Sequence, residues 1–246
     1  MTVISENNIK PPYLSIIIPA FNEAERLPET LRKIAAYALS LDYPTEVIVV
    51  DNLSSDATKN IILDFHSSYP FIRYLCGTVP GKGGAVRAGI MKGRGDYLLI
   101  CDADLAVPIE EVCKFLPPRL VEYDIAIGSR EAAEAVRYGE PFYRHLMGRV
   151  FNLIVRALLL PGIRDTQCGF KCFRRDVARE LFSLGIIDGW SFDVEILHLS
   201  RLKGYRVVEV SVDWYFGEKS KVSPVRDTIG MLKEILVIKR NWKGKL

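Results

Sequence analysis

The chain is poor in the residues that most often announce chemistry. Its 246 residues include three histidines and five cysteines. His66 and His198 fall on amphipathic stretches and His145 among arginines, so none has metal-ligand spacing. Cys168 and Cys172 have no second pair near them, which argues against a zinc site. The odd cysteine count, with several thiols in apolar runs, fits a reducing compartment. No basic, apolar and small-residue leader opens the sequence. No apolar run reaches the ~18 residues a spanning helix needs. The longest candidate, Phe151–Leu160, carries Arg156 and stops at Pro161-Gly162. The expectation is a cytoplasmic protein, peripheral on a membrane face if it meets a membrane at all. There is no internal repeat, no low-complexity segment and no Gly-x-Ser-x-Gly elbow. A net charge of +3 is too near balance to argue for nucleic acid. A composition 49% hydrophobic and 26% charged excludes a disordered tail or a disulfide scaffold and allows a sizeable core.

What is present is a rhythm. Residues 1–12 are polar, end in Pro11-Pro12 and read as a loose arm. Leu14–Pro19, Val47–Asp51, Ile72–Cys76, Tyr97–Asp102 and Ile125–Ser129 read as short buried strands. Between them, helices are predicted over Glu25–Leu41, over Asp56–Phe65 with Ser54 or Ser55 near its start, over Gly84–Met91 and over Ile109–Val121. This alternation predicts an α/β domain with a mostly parallel sheet. Further on, helices are predicted over Phe142–Leu160, Asp176–Leu184, Asp193–Lys203 and Val225–Trp242, with a strand at Val207–Val212. No linker divides the chain. The reading is one domain over 13–240, an alternating half at 13–130 followed by a second half at 131–240.

Ligands of open α/β sheets bind beyond the carboxyl ends of the strands. Each predicted strand end there is polar: Pro19 to Glu23, then Asp51, Asn52 and Asp56, then Gly81 to Gly84, then Asp102-Ala103-Asp104, then Ser129-Arg130. In an extended segment Asp102 and Asp104 share a face, where their charges repel unless a cation joins them. Hard oxygen ligands at that spacing suit Mg2+ or Mn2+ shared with substrate phosphates. Gly81-Lys82-Gly83-Gly84 offers backbone N–H groups, a helix start and one positive charge to a phosphate. It is not a P-loop, because Gly83 follows Lys82 where Ser or Thr is required. Nor is it a dinucleotide fingerprint, because Val86 replaces the third glycine and the turn does not follow the first strand. Phe142–Leu160 joins an apolar face to arginines and holds no acid, the pattern of an interfacial helix or of a core helix with solvated arginines.

These motifs, in this order, resemble the family-two glycosyltransferases of GT-A fold. Within them the chain is similar to the polyprenyl-phosphate sugar synthases, dolichyl-phosphate glucosyltransferases above all. The narrower likeness rests on Gly128-Ser129-Arg130, Asp165 to Lys171, Trp190 to Glu195 and Ser220-Lys221-Val222, and the whole covers roughly residues 13–240. The resemblance implies that Pro19, Asn22 and Glu23 line the nucleotide pocket, with Asp51 reading the base and Asp56 nearby. It implies that Lys82 and Lys221 serve the diphosphate, that Asp102 and Asp104 hold the metal, and that Arg130 and Arg144 grip an acceptor phosphate. Ser129, Asp165, Gln167, Asp193 and Glu195 are implied as site-lining. Two positions depart from the related mannosyl synthases, which carry a metal-binding glutamine where Ala106 stands and a serine where Gly148 stands. The implied reaction is inverting transfer of glucose from UDP-glucose to a polyprenyl or dolichyl monophosphate. GDP-mannose or another UDP-sugar is the nearest alternative donor. A hydroxyl-acceptor polysaccharide enzyme is disfavoured by the arginine pair, and a non-catalytic nucleotide-sugar-binding protein by the intact Asp102, Asp104 and Lys82. The oligomeric state is left open.

Overall fold

β1 (Leu14–Ala20) and β2 (Thr45–Asp51) are runs of isoleucine and valine buried on both faces, which is what enclosure between two helical layers requires. They belong to a computed structural model that describes residues 11–217 and 226–244. Most of the expected N-terminal arm lies outside the described residues. β3 (Ile72–Cys76), β4 (Tyr97–Ile100), β5 (Ile125–Ser129), β7 (Lys171–Arg174) and β8 (Val207–Ser211) complete a seven-stranded sheet in the order β3-β2-β1-β4-β7-β5-β8. A separate two-stranded ladder pairs β6 (Arg137–Tyr138) with β9 (Trp214–Tyr215).

Alternation along the strands divides the interior in two. Ile16, Ile18, Val47, Val49 and Leu99 face α1 (Leu27–Ser40), α2 (Thr58–Ser68) and a short 3-10 helix (Ile109–Lys114). Ile17, Ile48, Val50, Leu98 and Ile100 face the other layer, built by α3 (Lys82–Lys92), α4 (Phe142–Leu158), α5 (Arg175–Leu184), α6 (Phe192–Leu202) and α7 (Arg226–Trp242). In α1, Pro28 lies at the helix start, where a missing N–H costs nothing, and Glu29 favours the positive end.

Two expectations are corrected. The helix expected over Ile109–Val121 stops at Lys114, because Pro117-Pro118 removes a donor and drives the preceding residue out of helical geometry. Neither Ser54 nor Ser55 caps α2; Asp56 does that work by accepting a bond from the Thr58 N–H at 2.9 Å. The sheet is mostly parallel, as expected; its antiparallel member is β7, which runs between β4 and β5 and was not anticipated. Its reversed direction places its first residue, Lys171, beside Ile100 and Ile127 at the carboxyl edge of its parallel neighbours.

Candidate active site

The carboxyl edge gathers the charged residues. The loops after β1 and β2 are knitted together. Asn22 adopts a left-handed backbone (φ 52°) and its Oδ1 accepts a bond from the Ser55 N–H at 2.8 Å. The Glu23 N–H donates to Thr58 Oγ1 at 2.8 Å and the Ala24 N–H to Asp56 at 3.0 Å. Glu23 also pairs with Arg26. Asp51, buried, accepts from the Ser54 N–H at 3.1 Å. Pro19 sits in β1 opposite Val50. Asp56 thus spends its carboxylate on scaffolding, while Asn22, Glu23 and Asp51 shape the mouth between the first two strands.

Next comes the glycine turn. Gly81 has φ 106°, and a side chain there would meet the Asp188 carbonyl at 2.2 Å, so only glycine fits. Its carbonyl accepts a bond from Asn52 Nδ2 at 2.9 Å. The turn delivers Lys82, whose ammonium lies 2.6 Å from Asp102 Oδ1 and 5.5 Å from the centre of the Trp190 ring. Burial would lower the Lys82 pKa, but the charges of Asp102 and then Asp193 overcome it and hold the amine above its usual range.

Asp102 follows β4, and its other oxygen lies against Gly169, so closely that a Cβ on Gly169 would sit 1.9 Å from it. Asp104 accepts from the Ala106 N–H at 3.1 Å and has Arg26 at 3.7 Å. Partial burial and then the charge of Asp102 push its carboxyl above the usual range. A divalent cation on these hard oxygens would relieve that repulsion, so the donor set fits one. Among the described residues no third histidine, cysteine, aspartate or glutamate joins them. Any remaining ligands would be water and the substrate's phosphates.

Behind this pair lies a buried ion pair that the sequence reading did not single out. Lys171, 1% exposed, lies 2.9 Å from Asp193 Oδ1 and donates to the Cys168 carbonyl at 2.5 Å. Glu195, by contrast, sits outside this cluster. It accepts the Ile186 and Ile187 N–H groups at 2.8 Å each and the Trp242 indole N–H at 2.9 Å, and so pins the loop before α6.

On the far side stand the two arginines. Asp165 grips Arg130 through Nε at 2.7 Å, Nη2 at 2.9 Å and the backbone N–H at 3.0 Å. Burial would raise the Asp165 pKa, yet the Arg130 charge and these bonds hold it well below the carboxylate range. The Gln167 N–H adds a bond at 3.2 Å to Asp165. Ser129 is fully buried with its hydroxyl unpartnered. Arg130 lies 5.4 Å from the Trp214 ring centre, Trp214 lies 6.0 Å from Phe216, and Arg144 lies 5.2 Å from Phe216. Two aromatic rings distant in sequence from both arginines therefore join Arg130 to Arg144. Lys221 lies outside the described residues.

A small cleft lined by Asp102, Ala106, Gly169, Phe170 and Trp214 connects the aspartate side to the aromatic side. The larger cavity, about 530 Å3, lies at the opposite end of the sheet among Tyr13, Asp96, Tyr97 and Arg174, away from every residue above. Lys171, Gly169, Trp190, Trp214 and Phe216 are the site residues that sequence reasoning gave no role. Lys171, Gly169 and Trp190 lay inside motifs already noted; the two β9-region aromatics had no local signal.

The chain is similar to known proteins in sequence and in fold. Dolichyl-phosphate beta-glucosyltransferase of Dictyostelium discoideum is 35% identical, the match spanning 96% of this chain and 77% of the relative. The Homo sapiens protein of the same name is 34% identical over 93% of this chain and 75% of its own. Among solved structures, glucosyl-3-phosphoglycerate synthase from Mycobacterium tuberculosis, in complex with Mn2+, UDP-glucose and phosphoglyceric acid, shares the fold. It superposes with a TM-score of 0.66 at 17% identity, covering 94% of this chain and 79% of that one. The model for glycosyl transferase family 2 matches residues 15–182, from the first strand through the cluster of aspartates and the antiparallel strand into α5, and by that match the chain belongs to this family of glycosyltransferases.

Proposed function

We propose that the chain transfers glucose from UDP-glucose to the phosphate of a dolichyl or related polyprenyl phosphate, inverting the anomeric carbon. One observation carries the reading. Two separate cationic features, Lys82 on Asp102 and the Arg130–Trp214–Phe216–Arg144 stack, flank a single cleft, as a reaction between two phosphate-bearing substrates requires. The relatives' names supply the sugar and the lipid class.

In this reading Asn22, Glu23 and Asp51 shape the nucleotide pocket, and Lys82 faces the diphosphate. Asp102 and Asp104 would hold Mg2+ or Mn2+, which when bound would offset charge on the departing diphosphate. Lys82 contributes to the same end, as an ammonium already aligned before the bond breaks. Arg130, held rigid by Asp165, and Arg144 receive the acceptor phosphate and reduce the repulsion between two anions. A phosphate monoester has a second pKa of about 6, so the nucleophile arrives ionised and no side-chain base is needed. Its oxygen bonds the anomeric carbon as the bond to the diphosphate oxygen breaks. Asp193, a candidate base for a hydroxyl acceptor, is instead engaged by Lys171 at 2.9 Å.

The lipid acceptor calls for a membrane surface. Among the described residues no helix is long and apolar enough to cross one. α4 buries Phe151 and Val155 but exposes Phe142, Leu146, Val150 and Leu153, and α7 exposes Ile229, Leu236 and Val237. With Arg149 and no acid on α4, this surface suits peripheral attachment to anionic lipid. The test of function is incubation with UDP-glucose, Mn2+ and a short dolichyl phosphate, followed by chromatography of the lipid. A glucosylated lipid is expected, with little product from GDP-mannose or UDP-galactose. Nucleotide release without glycolipid, or a preference for GDP-mannose, would overturn the reading.

A further inference from the structure

The loop between α5 and α6 is packed between the glycine turn and α7. Toward the turn, the Asp188 carbonyl accepts a bond from the Gly84 N–H at 3.3 Å. Arg87 of α3 donates to the Asp188 carboxylate at 2.5 Å and to the Ile187 carbonyl at 3.3 Å. A Cβ on Gly83 would stand 2.6 Å from that Ile187 carbonyl, so the two backbones touch. Toward α7, Glu234 Oε2 accepts the Ser191 N–H at 3.0 Å, and the Ser191 hydroxyl donates to the Met231 carbonyl at 3.3 Å. Glu234 Oε1 lies against Gly189 so closely that a Cβ there would stand 2.0 Å from it. Trp190, the residue between these two contacts, carries the ring that lies 5.5 Å from the Lys82 ammonium. α7 does not need this carboxylate to dock: Met231, Ile235 and Ile238 are buried in the core, and the Trp242 indole bonds Glu195.

We propose that Glu234 is a positioning residue that acts through Trp190. By holding the backbone on either side of that residue, it fixes the ring against Lys82 and keeps the ammonium beside Asp102, aligned for the donor diphosphate. The assignment of Lys82 to the diphosphate rests on the function proposed above. Without the carboxylate, the Gly189–Ser191 backbone is free to move away from the turn, and the wall against which Lys82 rests moves with it.

The test is a cycle of Glu234→Ala, Lys82→Met and the double variant, with Glu234→Gln as the rescue and a melting temperature for each. Alanine is a good helix former and leaves the apolar face of α7 intact, so Glu234→Ala should melt within about 4 °C of the parent. It should lose about tenfold in kcat for glucose transfer with little change in KM for UDP-glucose, because Lys82 meets charge that develops only as the diphosphate departs. Glu234→Gln, which keeps an oxygen for the Ser191 N–H, should recover most of that loss. In the Lys82→Met background the same Glu234→Ala change should cost less than about twofold, since the group it positions is gone. An unchanged kcat in Glu234→Ala, or an equal loss with and without Lys82, would overturn the proposal; the second result is what a merely structural glutamate gives. If Glu234→Ala does not fold, Gly189→Ala decides by the same two outcomes, because its methyl pushes the carboxylate off the same backbone. Hydrogen exchange separates the proposal from the reaction assigned. Glu234→Ala should speed exchange of the amides of 81–85 and 186–191, and Glu234→Gln should not. Parent-like exchange in Glu234→Ala would overturn the proposal whatever the reaction. A parent protein that makes no glycolipid would refute the proposed function instead, and the cycle is then read on hydrolysis of UDP-glucose.

Discussion

Gly169→Ala is the smallest change that should disable the site. The added methyl would stand 1.9 Å from Asp102 Oδ2, 2.5 Å from its Cγ and 2.9 Å from its Oδ1. Ordinary contact begins near 3.4 Å, so the nearer oxygen must retreat by about 1.5 Å. That movement breaks the 2.6 Å contact between Asp102 and Lys82 and shifts one of the two carboxylates offered to the metal. A misplacement of an ångström commonly costs about 100-fold in rate, or about 2.7 kcal/mol in the barrier. Initial rates of transfer from labelled UDP-glucose, with donor, metal and acceptor all saturating, report kcat directly. A parallel melting curve separates this from loss of fold. A properly folded Gly169→Ala protein turning over within about threefold of the parent, a barrier change under about 0.7 kcal/mol, would refute the claim that this backbone position sets the aspartate.

Three further outcomes are expected. Gly148 lies within α4 with nothing within 4 Å of a built Cβ, so Gly148→Ala should stabilise the protein by about 1 kcal/mol and raise the melting temperature by about 2–4 °C. Asp165 has a depressed folded-state pKa, so its pairing with Arg130 stabilises the fold fully above about pH 4 and less as pH falls below that value. Asp165→Asn should therefore lower the melting temperature at pH 7 and flatten its decline in acid, as differential scanning calorimetry from pH 7 to pH 3 would show. Leu153→Glu on the exposed face of α4 should weaken sedimentation with anionic vesicles at low salt while leaving the melting temperature within about 2 °C; unchanged sedimentation would argue against that face meeting lipid.

The sheet's carboxyl edge was legible in the sequence because β1, β2, β4 and β5 are continuous apolar runs that end abruptly in charge. Asp51, Asp102 and Arg130 all follow from where those runs stop, and Lys82 from the glycine-rich turn after β3. Lys171 was not legible in the same way. Lys171–Arg174 is four residues with a charge at each end, and its role depends on insertion between strands distant in sequence. The aromatic stack escaped for a similar reason: Trp214 reaches Arg130 only because β9 pairs with β6. From the resemblance, Asp56 was expected beside the nucleotide and Glu195 in the lining of the site. Only the hydrogen bonds to Thr58, Ala24, Ile186 and Ile187 reveal that their oxygens are committed to backbone. A carboxylate near a site and a carboxylate holding a site's walls look alike in one dimension.

The short central strand also constrains how the protein can change. In β7 the side chains alternate between the two cores: Cys172 belongs to the α1 layer and Phe173 to the α5 layer. A single-residue insertion between Gly169 and Lys171 would shift the phase, putting the ammonium where a thiol packs and forcing an aromatic ring to change sides. Lengthening the loop before Asp165 would leave that phase alone. Tolerance to indels should therefore fall sharply somewhere within a handful of residues, and the boundary marks where chain length becomes a catalytic variable.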